Sequence, residues 1–100
     1  MSIEALATLR YNLKKARINS MNSDLAGPIE ILYNKADQAY WKAVNSTLSS
    51  NLKKLNNELS RINNINNIIK EKLDNLNNIR AVLKLLNEAV KIAIGIAALL

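Results

Sequence analysis

The chain contains no cysteine and no histidine. Without cysteine there is no disulfide, no thiolate nucleophile and no thiolate metal site. Without histidine the commonest general base and the commonest metal ligand are gone. Phenylalanine is absent too, and the aromatics amount to one Trp and three Tyr, so a core must be assembled from Leu, Ile and Ala. The two glycines, Gly27 and Gly95, lie too far apart to form a phosphate-cradling loop. The eight acidic residues form no Glu-x-x-His pair. The chain therefore reads as non-enzymatic, with no catalytic residue, no cofactor-binding residue, no metal ligand and no cofactor expected.

What is present is one domain's length, 1–100, patterned for helices throughout. The expected fold class is all-α, a bundle of about three helices near 3–22, 28–46 and 50–97, the last long and heptad-patterned with coiled-coil-like self-association. In the first helix Leu6, Leu9, Leu13 and Ala16 share one side and Arg10, Lys14 and Arg17 a neighbouring stripe. The segment "NSDLAGP" then offers Ser23 and Asp24 as caps and a fresh start at Pro28 with Glu30 in the first turn. Ile29, Leu32, Tyr33, Ala36, Tyr40, Val44 and Leu48 continue a single face. "NSTLSSN", residues 45–51, follows as a turn candidate with a new cap near Ser49 or Ser50, although nothing in it forbids a helix running through.

The strongest signal comes next. Leu55, Ile62, Ile69, Leu76, Leu83 and Val90 recur at steps of seven, and Leu52, Leu59 and Leu73 fill the companion heptad position. With the first series as d and the second as a, Asn66, Arg80 and Asn87 interrupt a while Ile65, Ile79 and Leu86 take over at g. The stripe drifts sideways, which suits packing against more than one neighbour. The pairs Asn56–Asn57, Asn63–Asn64 and Asn77–Asn78 fall at e and f, the polar half of the repeat. Asn66 and Asn87 sit on the seam, where an Asn either pairs with a partner Asn to fix register or meets water at a bundle edge. Leu52, Leu55, Leu59, Ile62, Asn66, Ile69, Leu73, Leu76, Leu83 and Val90 are the expected helix-packing or oligomer seam.

The formal net charge is +6. Its densest cluster is Arg10, Lys14, Lys15 and Arg17, a candidate anion contact as well as an ordinary solvated helix face. Only four cations converge there, and no set of stacking aromatics accompanies them. Nucleic-acid binding is accordingly expected to be weak or absent.

The final stretch, "AVLKLLNEAVKIAIGIAALL", has only Lys84, Asn87, Glu88 and Lys91 as polar side chains, within an arc of roughly 100°. Such an apolar end needs a cover. Ile92, Ile94, Ile96, Leu99 and Leu100 are the candidate membrane or partner contacts. Burial against other helices or copies of the chain ranks first and shallow insertion at a membrane surface second. A span ranks last, because the uncharged run is far shorter than the ~20 residues that crossing requires. Ala89, Ala93, Gly95, Ala97 and Ala98 are small enough to let helix backbones approach closely.

No cleavable signal peptide is read in "MSIEALATLRYNLKKAR", and a cytoplasmic location is expected, with membrane association as the alternative. In length and in its mid-chain Trp41-Lys42-Ala43 the chain resembles the secreted helical hairpins of type VII systems, which carry a Trp-x-Gly turn there. Ala43 stands in place of the turn glycine, and membership is not assigned. Size and basicity also fit small helical immunity proteins and phage or plasmid accessory proteins. The functional expectation is a helical interaction or scaffold protein that self-associates or binds partner helices. The alternative is a peripheral or membrane-active protein, pore-forming or immunity-like, that uses its apolar last helix.

Overall fold

Residues 4–45, 52–73 and 76–99 are described by the computed structural model, and they form four α-helices with no strand. Helix α1, Glu4–Asn19, turns Leu6, Leu9, Leu13 and Ala16 wholly inward, as their spacing predicts. It stops at Ser20, whose N–H donates to the Ala16 carbonyl at 3.0 Å while its hydroxyl donates to that of Arg17 at 3.3 Å. A serine that bonds its own backbone in this way competes with a further helical turn.

Helix α2 spans Ala26–Val44 and begins two residues before Pro28. The proline is tolerated because the first-turn N–H it lacks would have no helical acceptor. The Ile29 N–H makes the first helical bond, to the Leu25 carbonyl at 3.0 Å. Ser23 accepts the Leu25 N–H at 3.1 Å, but Asp24 does not cap the helix. With this earlier start Glu30 falls beyond the first turn. At the other end the Asn45 N–H closes α2 on the Trp41 carbonyl. The cap expected near Ser49 or Ser50 lies outside the described residues.

The expected single helix over 50–97 is instead two, α3 (Leu52–Lys70) and α4 (Leu76–Ala98). This corrects three helices to four. The reason is coverage: an unbroken helix would run ~70 Å, whereas α1 and α2 measure about 24 and 28 Å at 1.5 Å per residue. Folding back merges both apolar stripes into one core. At the turn the Lys72 N–H donates to the Ile69 carbonyl at 2.9 Å, and Leu73 is buried. The Leu73 carbonyl accepts a hydrogen bond from Asn19 Nδ2 at 2.6 Å. Asp74 and Asn75, both poor helix formers, follow in the sequence.

Around the bundle the order is α1, α2, α4, α3, with α1 also touching α4 across the diagonal, while α2 and α3 make no contact among the described residues. Asn12 and Asn66 pair α1 with α3, and Asn19 reaches Leu73 further along both, so these two helices run parallel. Asp24 meets Arg80 near the starts of α2 and α4, and Lys42 lies close to Ala98 at their ends, so this pair is parallel too. Short α1–α2 and α3–α4 connections make the remaining neighbours antiparallel. The extents are 43 × 21 × 16 Å.

The predicted seam is consumed inside the chain. Leu55, Leu59, Ile62, Asn66, Ile69, Leu73 and Val90 are buried and Leu83 is half-buried, while the side chains of Leu52 and Leu76 lie outside the described residues. The exposed seam that suggested a coiled coil between chains is therefore not left over. Asn66 neither pairs with a partner Asn nor meets water: only 2% exposed, it donates from Nδ2 to the Ala5 carbonyl at 3.0 Å. Asn87 is exposed and donates back to the Leu83 carbonyl at 3.1 Å, as a bundle-edge residue does.

Candidate functional site

The basic cluster of α1 faces α2, and α2 answers it with acids and aromatics. Arg10 Nε lies 2.9 Å from Asp37 Oδ1, and the guanidinium sits 4.6 Å from the Tyr40 ring centre and 5.5 Å from that of Trp41. Arg17 Nη1 lies 3.4 Å from Glu30 Oε1 and 4.4 Å from the Tyr33 ring centre. Such stacked, paired arginines tie two helices together. Hydrogen bonding to the Tyr33 hydroxyl is the largest influence on the Arg10 guanidinium and, with the nearby Asp37 charge, holds it above its ordinary pKa against the opposing effect of desolvation. Lys14 shares a shallow hollow with Ala7, Arg10, Tyr11 and Tyr33, whereas Arg17 lines a separate one with Ile18 and Met21, and Lys15 lines neither. The four cations expected to converge on an anion are thus divided, and both arginines are already engaged. Tyr40 and Trp41 meet edge to face at 5.3 Å, with Tyr40 half-buried and Trp41 48% exposed.

The apolar C-terminal helix is covered mainly by its own chain. Ile92 and Ile96, expected as outward contacts, are core residues together with Ala89, Ala93 and Ala97. Leu99 is half-buried, and Leu100 lies outside the described residues. Gly95 faces open space, and a Cβ added there would meet nothing, so its small size is not used for helix packing within the chain. Among the described residues no helix is long and apolar enough to cross a membrane. No group of carboxylates among them is arranged to hold a metal ion.

Ile94 is the exception, 45% exposed on the flank of α4 that faces α2. With Ala97 and Ala98 it borders an open cleft of about 430 Å³, whose other wall is Lys35, Gln38, Ala39 and Lys42 of α2. Lys35, Gln38 and Lys42 follow one another at i, i+3, i+7 along α2, and Lys91, Ile94 and Ala98 do the same along the parallel α4. Each set therefore shares one helix face. The small side chains Ala39, Ala97 and Ala98 keep the floor low, and Lys35 and Lys42 form the rim. The signal for this cleft was present in the sequence as the Lys35-Gln38-Lys42 stripe on the flank of an amphipathic helix. Only the pairing of α2 with α4, invisible in the sequence, turns the stripe into one wall of a groove.

A second polar contact pins the opposite end of the same helix pair. Arg80 Nη2 lies 2.7 Å from Asp24 Oδ1, and Nη1 lies 3.3 Å from Oδ2. The Arg80 hydrogen bonds and charge hold the Asp24 carboxyl below its ordinary value, and Asp24 raises Arg80 in return.

Compared with known proteins, the chain matches no family model, no curated protein and no solved structure, so its functional reading rests on its own surfaces.

Proposed function

We propose that the chain is a non-enzymatic interaction protein that takes a partner helix into the cleft between α2 and α4. The observation that carries this reading is the cleft itself, an open groove with an alanine floor and Ile94 on its edge. Two parallel helices with small residues between them form the kind of groove into which a third helix seats its apolar face. The test is site-specific photo-crosslinking in the cells that produce the protein, with the reactive group placed either at Ile94 or at Asn57 on the outer face of α3. A discrete protein species should be captured from Ile94 and lost when Ala98→Trp fills the groove. Equal capture from both positions, or none from Ile94, would overturn the reading.

Self-association is a second reading, favoured by one specific observation. Ile69, Leu76 and Leu83 keep their seven-residue phase straight across the α3–α4 turn, and among the described residues no non-glycine backbone adopts positive φ. A chain that straightened there would expose the two stripes in register for another copy, and exchange of α4 between two copies would rebuild every core contact of the bundle. Concentrated samples should then contain a dimer that dissociates slowly on dilution, measured by light scattering after gel filtration. Inserting two residues at the turn shifts the phase and should abolish the dimer while preserving the monomer. A strictly monomeric protein at high micromolar concentration rules this reading out.

A further inference from the structure

We infer that the outer face of the α1–α2 hairpin lies against a lipid bilayer, with its aromatic and aliphatic side chains among the headgroups. This face shares no residue with the α2–α4 cleft. Its basis is where the chain places its few aromatics. All three tyrosines and the single tryptophan come together on it, and none of them is fully buried. Arg10 joins them: its guanidinium meets Tyr40 and Trp41, and it borders one shallow hollow with Tyr11, Lys14 and Tyr33. Arg17 continues the surface from Tyr33 to a second hollow bordered by Ile18 and Met21. Isolated exposed apolar side chains are ordinary on a protein surface. Here they run contiguously along α1, interleaved with cations, in a molecule whose fully buried core is aliphatic.

The shape selects a bilayer over a protein partner. Tyr11 and Met21 are each 66% exposed and Ile18 is 56% exposed, so the apolar groups stand outermost instead of lining a recess. Tyr11 and Ile18 are seven residues apart on one helix face, about 10 Å along the axis. A folded partner would need a matched pocket for each protruding side chain, whereas fluid headgroups and acyl chains close around them. Tyr and Trp suit that zone because each joins an apolar ring to a polar edge. Asp37 and Glu30 are held by Arg10 and Arg17, and Lys14 forms no ion pair among the described residues. The cations stand beside the inserted side chains, at the level of lipid phosphates, and add a salt-sensitive preference for anionic lipid.

Trp41 is the chain's only tryptophan, so its fluorescence reports on this face and on no other part of the molecule. Vesicles of phosphatidylcholine mixed with phosphatidylglycerol, added to the full chain, should shift the Trp41 emission to the blue and carry the protein upward in a flotation gradient. The variant Tyr11→Ser/Ile18→Ser changes two exposed side chains, should keep its helical circular dichroism, and should bind the vesicles about tenfold more weakly. Lys14→Glu should weaken binding to the mixed vesicles about fivefold and leave binding to pure phosphatidylcholine nearly unchanged. Ile94→Ser, in the α2–α4 cleft, should alter neither readout. A wild-type protein that neither floats nor shifts its emission overturns the proposal, as does undiminished flotation of Tyr11→Ser/Ile18→Ser. Flotation lost in Ile94→Ser alone would move the membrane contact to α4 and overturn it too. Photo-crosslinking from Tyr11 that captures one protein species, while vesicles leave Trp41 unshifted, would reassign the face to a protein partner.

Discussion

Asn66 places a carboxamide inside the contact between α1 and α3, and only half of it is satisfied. Nδ2 donates to the Ala5 carbonyl, while Oδ1 is buried without a hydrogen-bond partner. The neighbouring Asn12, also buried, donates to the backbone carbonyl of Asn66 at 3.5 Å and so does not depend on the Asn66 side chain. Removing donor and orphan acceptor together should therefore cost little. Asn66→Leu is expected to lie within about 1 kcal/mol of the wild type or to be more stable in urea unfolding. Leu9→Ala, which hollows a fully buried site, should lose roughly 2–5 kcal/mol. A large loss in Asn66→Leu would mean that the carboxamide stabilises the bundle rather than selecting its register. That Asn66 lies on the seam was legible from the heptad count. That its partner is a main-chain carbonyl 61 positions away was not, because the count says nothing about which helix faces it.

Among the elements, α1 is the easiest to read from its spacing and the α3–α4 boundary the hardest. Long runs of Leu, Ile and Ala at helical spacing specify an inward face whatever the neighbour, so Leu6, Leu9 and Leu13 were found correctly. The turn after Lys70 carries no glycine or proline, and the apolar phase runs across it, so local sequence favours continuation while tertiary coverage favours the break. Coverage wins because half of an extended stripe would otherwise face water. The Asp24–Arg80 pair then joins the α1–α2 connection to the first turns of α4, and its contribution depends on pH. The Asp24 carboxyl is held below its unfolded value, near 3.9, so its stabilisation is fully present above that value and is lost as pH falls through the depressed folded value. Asp24→Asn should therefore lower the melting temperature at neutral pH. The difference from wild type should close as the pH is taken below about 4, and calorimetry across that range checks it. Both side chains are exposed, so added salt should narrow the difference as well.

At the scale of the whole molecule, helical class and core composition could be read from the chain, but the neighbour relations could not. The apolar face of α2 fits several partners equally well, and its choice of α1 and α4 over α3 depends on packing that no periodicity encodes. The candidate cleft was hidden for the same reason. This arrangement also sets an order of events in time. Within each of the pairs α1–α2 and α3–α4, only a short connection has to close, so each hairpin can form quickly on its own. The contacts between hairpins require a much larger closure: the hydrogen bonds of buried Asn12 and Asn66 span 54 and 61 residues of sequence. Folding should thus have its main barrier at the docking of two preformed hairpins, where water must leave the asparagines before their hydrogen bonds are complete.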